Sequence, residues 1–188
     1  MVQEIKYLGI IINSGRNCFK EHKRNKITKA KELANMIMTV IAKSSNKMLI
    51  GKTYWKNVAL AEILYGAELM PFNKKELEEM QRAENIAYRQ ILGAPRYTPT
   101  CTLRGEIGSS TMQSRDMTTK ICYMKHILSS ENQMLKEVAE IDYENKITKF
   151  SKTTQKYMEE LNINRNTLMN NTGKQIKDVV QRIDSDSP

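Results

Sequence analysis

The sequence predicts a mainly α-helical protein with one β-hairpin at its N-terminus, and three observations carry this. Glu4-Ile5-Lys6-Tyr7-Leu8-Gly9-Ile10-Ile11-Ile12 is rich in strand formers and is followed by a turn signal, Asn13-Ser14-Gly15-Arg16. From about residue 20 onward, each periodic stretch repeats its apolar residues at intervals of three and four, the spacing of an amphipathic helix. Capping residues, glycines and prolines divide those stretches at helical lengths. A lone two-stranded hairpin is marginal in water, so this one is expected to belong to a sheet whose other strands lie upstream of Met1.

The first helix is expected over residues 20–43, with Ile27, Ala30, Ala34, Ile37 and Ile41 forming its apolar stripe. Arg24, Thr28, Lys31 and Asn35 form a second, polar stripe at the same spacing. After the Ser44-Ser45-Asn46 break, a second helix is expected over 47–68, with Ile50, Tyr54, Ala61 and Leu64 facing inward and Pro71 ending it. Asn73 and Glu76 form a capping box for a third, whose stripe is Leu77, Met80, Glu84, Ala87 and Ile91 and whose stop is Gly93. Glu84 is anomalous there, and centring the stripe on Ala83 would turn it outward. Pro99 suits the first turn of a short helix ending near Gly105 or Gly108. Ser110 and Gln113 form a second capping box, opening a helix to Leu128 through Met117, Ile121 and Met124. Residues 129–132 are a polar break. Three weaker helices follow, over 132–141, 144–161 and 165–183, their best stripe being Ile147, Phe150, Tyr157 and Leu161. The Asn- and Thr-rich stretch 162–173 is expected to be partly irregular.

Charge is unevenly placed. The chain of 188 residues carries a net charge of +9. Residues 1–56 hold twelve Lys/Arg against three Glu, an excess of nine, and the remaining residues hold eighteen of each sign. Self-repulsion on that scale opposes folding and suits an anionic partner, of which polyphosphate backbones are the commonest. No run approaches the roughly 18 apolar residues of a membrane span, and no secretory leader pattern opens the chain. A nuclear or cytoplasmic protein is expected, neither secreted nor membrane-bound. Cys18, Cys101 and Cys122 are odd in number and widely spaced, with only His22 and His126 to assist them, so neither a disulfide framework nor a zinc site is expected. Both histidines stand in helical patterns and are expected to face solvent or cap rather than act as bases. Gly51-Lys52-Thr53 ends like a phosphate loop but lacks the preceding glycine and the feeding strand.

Five blocks in order carry a family resemblance: Ile5-Lys6-Tyr7-Leu8-Gly9-Ile10, Ile63-Leu64-Tyr65-Gly66-Ala67-Glu68, Gln90-Ile91-Leu92-Gly93-Ala94-Pro95, Leu103-Arg104-Gly105-Glu106-Ile107-Gly108 and Lys125-His126-Ile127-Leu128. Together they resemble the post-palm region of jockey-like, LINE-type (non-LTR) retrotransposon reverse transcriptases, the first block resembling the strand called motif E. The resemblance covers essentially the whole chain. It implies a palm-end hairpin over 1–19 and a basic thumb-like helical bundle over 20–129. The polar break at 129–132 is itself the expected domain boundary, followed by a looser helical extension over 130–183, and the tail 184–188 is expected to be disordered from its residues. The resemblance also implies that Tyr7, Leu8, Gly9 and the turn through Arg16 form a primer grip, and that the missing palm and fingers are partners.

Polymerase chemistry needs paired carboxylates holding two divalent metals, Mg²⁺ in the parent polymerase. In this chain the first aspartate is Asp116 and no Asp-Asp occurs. No cofactor and no polymerase activity are therefore expected of the isolated chain. What remains is the basic set Arg16, Lys20, Lys23, Arg24, Lys26, Lys29, Lys31, Lys47, Lys52 and Lys56, suited to the phosphates of an RNA and DNA template–primer duplex. Tyr54 and Trp55 are the only aromatic residues near it for base stacking. Two other readings stay open: a helical module that binds proteins through Met-rich grooves, and a degenerate or domesticated retroelement fragment without retained activity.

Overall fold

The computed structural model describes residues 4–15 and 17–186, the last two as backbone alone. Helices make up 72% of the chain, so the mainly helical class holds, and a two-stranded antiparallel hairpin stands at the N-terminus. The chain divides into two compact units, Met1–Gly66 with Phe72–Ser109 and Ala67–Pro71 with Ser110–Pro188.

In the first unit, strands β1 (Glu4–Tyr7) and β2 (Ile10–Asn13) pair with Ile5 opposite Ile12 and Tyr7 opposite Ile10. The hairpin turn is therefore Leu8-Gly9, not Asn13-Ser14-Gly15-Arg16. Its two residues have φ of +45° and +80°, the pair of positive values that a tight turn needs to match strand twist. Gly9 adopts this freely. Leu8 is strained by roughly 1 kcal/mol or more, and its carbonyl is held by the Tyr65 hydroxyl, which donates at 2.7 Å. Asn13-Ser14-Gly15 leads instead toward the first helix, and the Asn13 N–H donates to the Cys18 carbonyl at 2.7 Å. The hairpin does not stand alone: Ile10 and Ile11 are half-buried and β2 lies against the first helix, while all four residues of β1 are exposed.

Helix α1 (Lys20–Ile41) buries Ala30, Ala34, Ile37 and Ile41 of the expected stripe, together with Leu33. The expected second helix is less regular. It comprises α2 (Lys47–Tyr54), a π turn (Trp55–Ala59) and α3 (Leu60–Leu64), followed by a 3-10 turn (Ala67–Leu69). Its inward residues are Gly51, Trp55, Ala59, Leu60 and Ile63; the expected Ile50 and Ala61 are exposed, and Tyr54 and Leu64 only half-buried. The reason is close packing at Gly51. A Cβ there would fall 2.7 Å from Ile91 Cγ1 and 3.2 Å from Ile41 Cγ2, so only glycine lets the backbone approach. Gly51-Lys52-Thr53 is thus a helix interior and no phosphate loop.

Helix α4 (Lys74–Leu92) opens on the predicted capping box, with Glu76 N–H to Asn73 Oδ1 at 2.9 Å and Asn73 N–H to Glu76 Oε2 at 2.8 Å, and stops at Gly93 with φ +64°. Its stripe includes Glu84, which is completely buried rather than turned outward. Three donors converge on the carboxylate: Trp55 Nε1 at 3.1 Å, Gln81 Nε2 at 3.0 Å and the Tyr88 hydroxyl. Trp55 and Tyr88 also meet edge to face, 6.2 Å between ring centres. Helix α5 (Thr100–Ile107) has Pro99 at its N-cap, one residue before the expected place.

The second unit is built around α6 (Met112–Leu128), capped by Thr111, whose side chain accepts from the Ser114 N–H at 3.1 Å; the expected Ser110 cap is one residue early. Around it lie α7 (Gln133–Asn145), α8 (Lys149–Glu160), α9 (Arg165–Asn170) and α10 (Gly173–Asp186). The stripe Met117, Ile121, Met124 and Leu128 forms one core with Tyr157, Leu161, Leu168, Ile176 and Val180. This core moves the boundary from 129–132 to Ser109/Ser110, because α6 supplies the surface on which the later helices fold. The expected tail also begins too early. Asp184 lies inside α10 and accepts from the Thr111 N–H at 3.0 Å and hydroxyl at 2.8 Å.

Candidate nucleic-acid interface

The basic residues of α1 leave the helix in two directions. Toward α4, Lys23 is buried and bridges Glu76 at 2.8 Å, and Lys31 bridges Glu79 at 2.9 Å. Toward α3, Lys26 donates to the Glu62 carbonyl at 2.6 Å and lies 5.3 Å from the Tyr65 ring centre, while Lys29 faces the Glu62 carboxylate at 3.5 Å. Burial pushes the Lys26 ammonium pKa down, with Glu62 pulling the other way. The hydrogen bond and charge of Lys31 hold Glu79 below the usual carboxylate range. These lysines tie three helices together. Lys23 in particular is a structural cation and not a phosphate contact.

Lys20 and Arg24 are different. Both are exposed, one turn apart, and neither has a partner among the described residues. They share a flank with Lys31, spread over about 16 Å at 1.5 Å per residue. Lys75 and Arg82 of α4 lie near Glu79, the partner of Lys31, and Arg82 also meets Glu78 at 3.8 Å. Sequence reasoning missed both, because they belong to the charge-balanced part of the chain. Lys47 is exposed at the start of α2. Lys52 and Lys56 sit instead at the C-terminal end of α5, where Lys56 donates to the Gly108 carbonyl at 2.7 Å and a Cβ on Gly108 would lie 4.0 Å from Lys52 Nζ. Cations there complement the negative end of the helix dipole.

Among the hairpin candidates, Tyr7 is 65% exposed, and Gly9 forms the turn. A Cβ on Gly9 would make only an ordinary 3.6 Å contact with Tyr65, so the glycine is there for its φ rather than for space. Arg16 lies outside the described residues. Trp55 is completely buried against Glu84 and is closed to base stacking.

His22 is buried rather than solvent-facing. Its Nδ1 accepts from the Ile11 N–H at 3.2 Å, fixing the neutral tautomer, while its Nε2 is buried without a hydrogen-bond partner among the described residues. Burial, then the charge of Lys26, lowers its pKa from the ordinary 6.5. The unfolded chain therefore binds a proton as pH falls through about 6.5, where the folded chain resists it. Stability is full above that value and is lost as pH falls toward the folded pKa. Protonated Nδ1 cannot accept, so the Ile11 amide should lose exchange protection only as pH falls through the lowered folded-state pKa of His22, below the ordinary value. His22→Gln, which keeps an acceptor and gains no proton, should abolish that window; an unchanged window would assign it to another group.

Asp116, the first aspartate, lies in the second unit and is buried with Lys120 and Tyr157. Lys120 Nζ bonds its Oδ1, and the Tyr157 hydroxyl donates to Oδ2 at 2.9 Å. Lys120 also donates to the Ala67 carbonyl at 3.4 Å. Burial pushes the Asp116 carboxyl up against the pull of Lys120, and burial with the adjacent Asp116 charge pushes the Tyr157 phenol far up, keeping it a donor. Among the described residues, no group of three His, Cys, Asp or Glu is placed to hold a metal ion. His126 is exposed on α6, and no helix is long and apolar enough to cross a membrane among those residues.

No protein-family model, curated protein or solved structure matches this chain.

Proposed function

We propose that this chain is the thumb-like, nucleic-acid-gripping part of an RNA-directed DNA polymerase of a non-LTR retrotransposon, holding an RNA–DNA template–primer duplex by its phosphates. The gripping role rests on one observation: Lys20 and Arg24 stand exposed and unpartnered among the described residues, on the α1 flank that Lys31 continues. Unpaired cations on one side of a helix neutralise phosphates without reading sequence. The polymerase assignment rests on the five sequence blocks. Asp116 lies in the interior with Lys120 and Tyr157, and the proposed role is to hold the duplex.

The test is a charge reversal. Lys20→Glu with Arg24→Glu should weaken binding of an RNA–DNA hybrid at low salt by at least about tenfold, as expected for losing two phosphate contacts. The same reversal at Lys149 and Lys152, exposed on α8, should change it less than about twofold. Equal losses from the two pairs would remove α1 as the binding face. Absence of any binding would favour the protein-interaction module.

A further inference from the structure

Helix α7 is oriented against the usual rule. An amphipathic helix turns its apolar stripe to the core, yet α7 buries only Ala139 fully. Tyr143 is half-buried on that same side, where Arg165 lies 5.6 Å from its ring centre and bridges Glu140 at 3.1 Å. On the opposite side, Met134, Val138 and Ile141 are 77%, 59% and 54% exposed. Their i, i+4, i+7 spacing puts them within about 60° of one another around the helix axis.

The rim of this stripe is acidic. Glu137 and Glu144 flank it along one edge, and Glu131 is exposed just before the helix. Among the described residues Glu137 accepts only from Gln133, at 2.8 Å, and Glu144 meets Arg165 loosely at 3.9 Å. Lys136, the one cation of α7, is on the half-buried side. An acidic stretch with its apolar residues outward contrasts with a chain of net charge +9.

We propose that the outer face of α7 is a docking surface for a basic amphipathic helix of a partner protein. Apolar residues of that helix would cover Met134, Val138 and Ile141, and its Lys or Arg would meet Glu131, Glu137 and Glu144. Spacing of one helix against another fits anchors at i, i+4 and i+7. Charge selects among the possible occupants. Nucleic acid and anionic lipid are repelled by the rim, and a second copy pairing α7 with α7 would bring the same glutamates together. This surface is independent of the cations on α1.

The probe is a labelled peptide of about four helical turns with leucine at the anchor positions and lysine elsewhere. It is titrated against the full chain, beside a scrambled peptide of the same composition. The wild type should bind the patterned peptide at least tenfold more tightly than the scrambled one. Val138→Gln with Ile141→Gln, both at exposed positions, should remove that preference, and Glu131→Gln with Glu137→Gln should weaken it and flatten its salt dependence. Equal binding of the two peptides would overturn the proposal. So would an oligomer of the chain alone that dissociates with the Val138/Ile141 variant, or phosphatidylserine vesicle binding that the same variant abolishes.

Discussion

Lys120→Ala should destabilise the protein by about 3–5 kcal/mol, because it leaves Asp116 buried without its counter-charge. The pair is almost fully enclosed, Lys120 at 0% and Asp116 at 2% exposure, so bulk solvent does not already screen it. Tyr157 would still donate to Asp116 Oδ2, but one hydroxyl compensates only part of a buried charge. Replacing both members, Lys120→Met with Asp116→Leu, should recover most of the loss, since well-packed apolar residues often substitute for a buried pair at little cost. Thermal unfolding followed by circular dichroism measures both. A single variant within about 1 kcal/mol of wild type would mean that water reaches the pair.

Glu84→Leu should cost about 2–4 kcal/mol by orphaning the donors that converge on this carboxylate. The Trp55 indole N–H has Glu84 as its hydrogen-bond acceptor, whereas the Tyr88 hydroxyl can turn to Ser109 Oγ, 2.6 Å away. The Trp55 donor should therefore account for more of the loss, and adding Trp55→Phe should return part of it. Glu84→Gln should be intermediate, since its amide can keep one acceptor but points a second donor at Gln81. Trp55 is the only tryptophan, so its fluorescence reports this site directly during urea unfolding. Full stability in Glu84→Leu would show that the carboxylate is dispensable to the packing.

Local rules made much of this fold legible. The Asn73/Glu76 box, the Gly93 stop and the stripes of α1, α4 and α6 follow from interactions within a few residues, which a pattern contains. The misses share a different cause. The π turn at Trp55–Ala59 adds residues to a helical repeat, and the tight contact at Gly51 fixes which side is inward; both are decided by packing against Ile41 and Ile91. Glu84 reads as an outward-facing residue because its partner Trp55, 29 residues earlier, becomes a neighbour only on folding. The hairpin turn moved to Leu8-Gly9 although Asn13-Ser14-Gly15 has the stronger turn chemistry, because a chain running from Gly15 into α1 offers no second strand.

The candidate interface was legible as a net charge and not as a surface. Composition located the excess of positive charge in the first 56 residues. It did not reveal that Glu62, Glu76 and Glu79 fold back onto α1 and engage Lys23, Lys29 and Lys31. Nor did it indicate that Lys75 and Arg82, from the charge-balanced part of the chain, lie near Glu79, the partner of Lys31. Of the cations first singled out on α1, Lys20 and Arg24 remain both exposed and unpartnered among the described residues.

A surface that grips nucleic acid through phosphates has a defined salt dependence. The direct measurement is the affinity of the full chain for an RNA–DNA hybrid and for duplex DNA of unrelated sequence, over a series of salt concentrations. Two to four phosphate contacts predict that log affinity falls linearly with log salt at a slope of about −2 to −4, with little dependence on sequence. Lys20→Glu with Arg24→Glu should bring that slope closer to zero by about two. Salt-independent binding, or a slope unchanged by the reversal, would contradict the account.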